Sequence, residues 1–308
     1  RIYMTHATKD LVKVLLYDSL KIMESRESKI PAYAESHVED MLNRVVCYSP
    51  DFTFEPAAGI KASFFQAGHI AGAACVYLKG REGALFYSGD FSVFRQNTIE
   101  GAAIPKLRPD IAILESTYGD KLHANRQVEE DRLTEAVNAV INRGGKMLIP
   151  AFALGRAQEI ILILKRAMNK KQLPACTIYV DGMVRDICRM YRMNPNYLRN
   201  MLAKKIWKGK DIFFDDEHII RVNNPKQREE IIAGKDGCCI ISSSGMLSGG
   251  PSQWYAEKLA GDEKNFIAIT GYQDEESLGR QLLNLMDEEE KVLCIGERTI
   301  PVKCEVGR

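Results

Sequence analysis

The chain has no CxxC pair, although it has eight cysteines, at 47, 75, 176, 188, 238, 239, 294 and 304. That spacing excludes zinc ribbons and fingers, and in 308 residues it reads as reduced thiols, mostly small buried hydrophobes, of a cytoplasmic protein. No apolar run approaches the roughly 18 residues of a membrane span. Low-complexity segments and short-period repeats are also lacking. Neither sign of charge is in excess: 42 Lys+Arg stand against 41 Asp+Glu, a formal net charge of +1. This excludes a strongly basic wrapper of nucleic acid, so any polyanion must be met locally. What is present is an ordinary globular composition, 45% hydrophobic and 27% charged, in a length that suits one large or two ordinary domains.

Residues 8 to 24 carry Leu11, Val14, Leu15 and Leu20 at helical spacing, and 37 to 48 read as a shorter helix followed by a strand. From 52 to 115 the texture changes to short β-like runs divided by Gly-rich turns, IKASFFQAG, ACVYLKG, ALFYSG and IAILES. The GREG segment at 80–83 predicts an antiparallel hairpin. Beyond about residue 120, apolar strands (MLIPAFAL, TIYVDG, CCIISSSG, FIAITGY) alternate with helical segments, the pattern of a largely parallel sheet covered on both faces. KVLCIG and RTIPVKCEV then return to hairpin-like β. Trp207 and Trp254 are expected to be packing anchors, Trp254 near enough to the Ser/Gly loop to stack on a base. His6, His37, His123 and His218 have no partner at ligand spacing, and DEEEK at 287–291 reads as a solvated loop.

Three strand ends in the first region offer metal-type donors in small-residue turns: His69 in QAGHIAGAA, Asp90 in FYSGDFS and Glu115 in LESTYGD. A turn histidine can equally be structural, and Asp90 can be an Asx-turn or a cap. Glu115, following the apolar run IAIL, would be costly at the end of a buried strand unless paired or metal-bound. Imidazole and carboxylate are the right donors for zinc or manganese, but three such residues do not define a site. In the second region, four strand-to-helix turns cluster Gly, Ser and Arg: ALGRAQ with Arg156, VDGM with Gly182, SSSGMLSGG from Ser242, Ser243, Ser244 and Gly245 to Gly250, and TGYQDEESLGR ending at Arg280. Hydroxyls, backbone N–H groups and arginines at the carboxyl ends of parallel strands suit phosphate. The same residues also serve tight turns and helix caps.

In order along the chain, IYMTHATKDLV, FFQAGHIAGAA, LFYSGDFS, PDIAILESTYGD, NRGGKMLIPAFALGRAQEIILIL, SSSGMLSGGPS and TGYQDEESLGR resemble the β-CASP branch of the metallo-β-lactamase superfamily. Its members include the nuclease subunit of the cleavage and polyadenylation specificity factor and archaeal and bacterial relatives. The resemblance implies an α/β fold in which an αββα metallo-β-lactamase domain receives an inserted α/β β-CASP domain built on a largely parallel sheet. The parts would run 1–119, 120–270 and, on return to the first domain, 271–308. It further implies a zinc-dependent ribonuclease acting on single-stranded RNA, endonucleolytic and also 5′-exonucleolytic, with two Zn2+ in the intact protein. His69 and Asp90 would be metal ligands, Asp90 bridging both ions. Glu115 would act at the catalytic centre with Asp90, orienting a histidine near the scissile phosphate. Arg156, Ser242, Ser243, Ser244, Gly245 and Arg280 would line the RNA path. A homodimer is a further expectation; membrane and DNA are not expected partners.

Two kinds of departure accompany the resemblance. The family's HxHxDH run is absent and would precede RIYMTHATKD, while a further histidine would come after CEVGR; both fit an excised piece, which alone would be inactive. Gln281 stands where another family histidine is expected, and an amide cannot donate a proton to a leaving group. A catalytically impaired RNA-binding homologue, acting as partner or scaffold, is therefore the alternative reading. A small-molecule metallohydrolase of the superfamily, such as a thioesterase or lactonase, is disfavoured by the large insert.

Overall fold

A computed structural model of the chain describes residues 1–24, 31–120, 122, 124–289, 291–296 and 298–308. By packing, the chain divides into two units, residues 1–122 with 189–210, and residues 123–188 with 211–308.

In the first unit, β1 (Ile2–Met4) leads into α1 (His6–Glu24), then α2 (Glu35–Asn43) and β2 (Val45–Cys47), which pairs in parallel with β1. Of the apolar positions read as helical, Leu11 and Leu20 are buried, and Leu20 of α1 packs with Val38 and Leu42 of α2. His37, without a ligand role, accepts the Ala34 N–H at 3.1 Å on Nδ1 and so closes the start of α2. A five-stranded sheet comes next, in the order β3 (Thr53–Ala57), β4 (Ile60–Gln66), β5 (Ala74–Lys79), β6 (Ala84–Tyr87) and β7 (Ile111–Ile113). The strands from β3 to β6 are antiparallel, with the GREG hairpin closed by Gly80 N–H on Gly83 C=O at 2.9 Å, as predicted. One face buries Phe65, Cys75 and Phe86, the other Phe54, Ala62 and Phe64. β7 joins β6 in parallel but is exposed along its length, including Ile111 at 59%. The buried-strand argument for Glu115 therefore does not hold, and hydrogen bonds rather than burial fix the residues after β7.

The second unit opens with α3 (Arg126–Asn142), capped by Asn125, whose Oδ1 accepts the N–H groups of Gln127 and Val128. Strands and helices then alternate: β8 (Lys146–Pro150), α4 (Arg156–Asn169), β9 (Thr177–Asp181) and α5 (Val184–Met193). After α6 (Asn200–Trp207), which belongs with the first unit, come β10 (Ile219–Arg221), α7 (Pro225–Ala233), β11 (Cys238–Ser242) and α8 (Gly250–Leu259). Last are β12 (Phe266–Ala268), α9 (Leu278–Asn284), the hairpin β13 (Val292–Ile295) and β14 (Arg298–Pro301), and β15 (Glu305–Gly307). Six of these strands form one wholly parallel sheet, ordered β10-β9-β11-β8-β12-β15. Leu148, Ile149, Ile240 and Ile241, on its central strands, are fully buried, worth roughly 1.5–3 kcal/mol each.

Residues 271–308 stay with the parallel sheet, because β15 pairs with β12 and the Arg143 guanidinium grips both Lys264 C=O and the Glu305 carboxylate. Residues 189–210 belong with the first unit. There Asn194 Nδ2 donates to Asp10 Oδ2 at 2.7 Å, and Arg199 N–H donates to Thr98 C=O at 2.9 Å.

Candidate active site

His69 sits in the turn joining β4 to β5, a turn whose backbone is almost fully committed. Ala67 N–H donates to Ala73 C=O at 3.0 Å, continuing the ladder across the loop. The Thr5 and Thr8 hydroxyls, from the THAT segment, both donate to Gly72 C=O at 2.8 and 3.0 Å. Gln96 Nε2 donates to the carbonyls of Gly68 and His69 at 3.0 and 2.9 Å. Glycine is required at 68: its φ is +71°, and a Cβ there would lie 2.3 Å from both Ala102 N and Ser92 O. The consequence is a fixed backbone that holds an imidazole out to solvent.

Asp90 comes after β6, through Ser88 and Gly89. Ser88 is wholly buried and links two strand ends: its N–H donates to Ile113 C=O, and its Oγ accepts the Glu115 N–H at 3.0 Å. The turn carrying Asp90 and the residue Glu115 are thereby held as one assembly. His69 Nε2 and Asp90 Oδ2 lie 4.0 Å apart, with the side chains 48% and 76% exposed. Thr117 donates its backbone N–H to Glu115 Oε2 at 2.9 Å; this bond first, then the Thr117 hydroxyl, the Phe91 N–H and nearby His69, outweigh burial and hold the Glu115 carboxyl below its ordinary range. Sequence reading thus chose three residues that the structure brings to neighbouring strand ends of one sheet. It missed Ser88, Gln96 and the two threonines that hold them; Ser88 stands inside FYSGDFS, where its place between an apolar strand and Gly89 was the available signal.

Two donors of one tetrahedral zinc, each about 2.0–2.2 Å from it, are roughly 3.4 Å apart, a small side-chain rotation from the observed pair. Donor chemistry therefore fits a divalent ion. Donor number does not complete a site, since among the described residues no group of three or more His, Cys, Asp or Glu could hold a metal.

The turns of the parallel sheet converge as expected at the carboxyl ends of its strands, but their polar groups face one another. Ser242 is fully buried, its hydroxyl directed to Ser243 C=O at 3.4 Å. Ser243 Oγ accepts the Met183 N–H at 3.2 Å, and Ser244 Oγ accepts the Ser248 N–H at 2.9 Å. Gly245 packs so closely on the β8–α4 turn that a Cβ would lie 2.7 Å from Phe152 N. Its carbonyl takes Gln273 Nε2 at 3.0 Å, and Arg280 Nη2 donates to Gln273 C=O at 3.0 Å. Gln158 of GRAQ reaches back to cap α4, accepting the Gly155 N–H at 2.8 Å. The Ser242, Ser243 and Ser244 hydroxyls and the Arg280 guanidinium thus make contacts within the loops, while Arg156 is exposed. Trp254 is half-buried against the core, edge-on to Tyr255, and Gln281 is exposed on α9. His123 lies outside the described residues, as does residue 290 of the DEEEK run.

A model of the Beta-Casp domain matches residues 157–282, from α4 through most of α9. The chain is 32% identical over 312 residues to the RNase J-like protein of Methanocaldococcus jannaschii, covering 99% of this chain and 68% of that protein. It is 33% identical over 310 residues to Transcription termination factor FttA of the same organism, covering 99% of this chain and 49% of FttA. Endoribonuclease YSH1 of Yarrowia lipolytica is 31% identical over 290 residues, covering 94% of this chain and 34% of YSH1. The chain belongs to the β-CASP family of the metallo-β-lactamase superfamily. Its mixed α/β architecture, with a six-stranded parallel sheet carrying the β-CASP match, is the fold of that family. The chain spans about half the length of the FttA relatives it matches. Within this β-CASP chain, His69, Asp90 and Glu115 precede the matched segment in sequence, and Gln281 lies near that segment's end.

Proposed function

We propose that the protein is a metal-dependent ribonuclease that hydrolyses phosphodiester bonds of single-stranded RNA, in RNA processing or decay. The observation that carries this reading is the 4.0 Å approach of His69 Nε2 to Asp90 Oδ2, both exposed on turns whose backbone is committed elsewhere. The names of the relatives, an endoribonuclease and an RNase J-like protein among them, support the reaction class. Imidazole and carboxylate favour Zn2+, with His69 and Asp90 as two of the ligands. When bound, such ions lower the pKa of a water and neutralise charge at a phosphoryl centre. Because the described residues supply too few donors, no hydrolytic step is assigned to them alone. Their own contribution is positional: Gln96, Thr5 and Thr8 fix the His69 turn, and Ser88 fixes Asp90 relative to Glu115. Free thiols at all eight cysteines support a reducing, cytoplasmic setting.

Gln281 favours a second reading, an RNA-binding scaffold of reduced activity, because its amide cannot act as an acid. One variant separates the two. In the full-length protein, Asp90→Ala should abolish cleavage of a labelled single-stranded RNA and lower the zinc content, with the circular dichroism spectrum unchanged. Cleavage at the parent rate in that variant would remove the nuclease assignment to this pair. A parent protein that binds the RNA and leaves it intact would establish the scaffold.

A further inference from the structure

Residues 189–210 contain Arg189, Arg192, Arg199, Lys204, Lys205, Lys208 and Lys210 and no Asp or Glu, in a chain whose net charge is only +1. The segment centres on α6, whose Leu202 and Ala203 are buried. The opposite side presents Met201, Lys204, Lys205, Trp207 and Lys208 to solvent. Among the described residues, none of Lys204, Lys205, Lys208 and Lys210 has a carboxylate within ion-pair distance. A lysine-rich helix face is ordinarily just a solvated surface. Trp207 sets this one apart: it was expected to anchor packing, yet it is 61% exposed, one turn from Lys204 and next to Lys208. A large aromatic left open among unpaired cations offers a stacking plane and phosphate contacts together, which is what a single-stranded nucleic acid requires.

The patch is also mechanically continuous with the His69 turn. Arg199, the residue just before α6, donates its N–H to Thr98 C=O at 2.9 Å and its Nη1 to Gln96 C=O at 3.4 Å, and its Nε lies 3.5 Å from Glu100 Oε1. Gln96 in turn holds the Gly68 and His69 carbonyls. One hydrogen-bonded chain within a single unit therefore fixes the basic helix relative to the imidazole. An interfacial membrane helix needs a long apolar face, whereas α6 has eight residues and exposes only Met201 and Trp207 as large apolar groups.

We propose that residues 189–210 form an anchoring surface for single-stranded RNA, in which Trp207 stacks on a base and Lys204, Lys205 and Lys208 hold phosphates, setting where the strand meets the His69–Asp90 pair; this rests on the ribonuclease reading above. The test is anisotropy of a fluorescein-labelled oligouridylate with the full-length protein in EDTA, so that binding is read without cleavage. Trp207→Ala should weaken binding roughly tenfold and Trp207→Phe much less, since a ring restores stacking. Lys204→Glu with Lys205→Glu should lower the slope of log K against log salt by about 1.4, two phosphate contacts on a single strand. The Trp207 fluorescence, taken as the difference between the parent spectrum and that of Trp207→Phe, should be quenched as oligouridylate is added. Parent-like affinity and salt slope in these variants, in a protein that still binds and cleaves RNA, would overturn the anchoring surface and leave the ribonuclease reading standing. A parent protein that binds no oligouridylate would overturn both. Binding through Trp207 to vesicles containing phosphatidylserine, without quenching by oligouridylate, would overturn the RNA assignment.

Discussion

Asp90 and Asp181 occupy similar positions in sequence, each in a small-residue turn at the end of an apolar strand, and the protein uses them in opposite ways. Asp181 is wholly buried and surrounded by donors: the Gly182 N–H at 2.6 Å, Arg228 Nε and Nη2 at 2.6 and 3.2 Å, and the Tyr255 hydroxyl at 3.0 Å. That carboxylate raises the affinity of the Arg228 guanidinium for its proton, and burial with the neighbouring charge pushes the Tyr255 hydroxyl upward. Asp90 is three-quarters exposed and, among the described residues, has its ion-pair partner in His69 at 4.0 Å. The contrast extends to the two units. Around the parallel sheet, polar side chains are spent on one another; around the five-stranded sheet, the backbone is satisfied and the donors are left outward. Chemistry belongs to groups whose support is complete and whose own valence is not.

The sharpest way to break this comparison is to delete each carboxylate. Asp181→Ala leaves a partly buried guanidinium and the buried Tyr255 hydroxyl without their acceptor, and urea unfolding should show a loss of about 1.5–3 kcal/mol. Asp90→Ala removes an exposed group that lies 4.0 Å from His69, so the same measurement should move by no more than about 0.5 kcal/mol. Replacing Arg228 with Met beside Asp181→Ala should recover part of the first loss, because the unpaired charge goes with it. Equal losses at 90 and 181 would mean that Asp90 belongs to the architecture as well.

Much of this division was legible in the residues and some was not. Alternating apolar strands and helices announced the parallel sheet, GREG announced its hairpin, and small residues around His69 and Asp90 marked strand-end turns, since these signals are local. Burial was not local. Ser242 and Arg280 carry the same side chains whether they face a ligand or a neighbouring loop, and only the convergence of four separate turns decides which. β7 was expected to be buried because IAIL is apolar, yet its residues are exposed, an outcome set by what packs on the sheet rather than by the strand's composition. α6, β10 and α7 were missed because 195–233 offers short polar stretches without a sustained period. The run of basic residues lacking any acid, with Trp207 inside it, was the signal that could have drawn attention there.

A smaller effect sharpens the architectural side. Gln158 is fully buried in α4, accepting the Gly155 N–H and donating Nε2 to Ala153 C=O at 3.0 Å. Gln158→Ala leaves both backbone groups without these partners and should cost roughly 1–3 kcal/mol in urea unfolding. Gln158→Glu sets a buried carboxylate against the Ala153 carbonyl oxygen and should cost at least as much as the alanine variant. A loss confined to RNA affinity, with stability untouched, would instead place Gln158 on the RNA path.

Arg156 is the smallest and most discriminating case, because it stands in the same GRAQ turn with the opposite exposure. Gly155, Ala157 and Gln158 are buried while Arg156 is exposed. If the rule drawn from Asp90 and Asp181 holds, the exposed member of this turn is the one that meets RNA. Arg156→Ala in the full-length protein should leave the unfolding midpoint nearly unchanged, since alanine suits the first turn of α4 at least as well as arginine. The slope of log K against log salt for a labelled oligouridylate should fall by about 0.7, the release of one counterion contact on a single strand. A parent-like slope together with a lowered midpoint would assign Arg156 to the architecture of its turn, and exposure alone would then no longer separate the residues that touch RNA from those that build the loops.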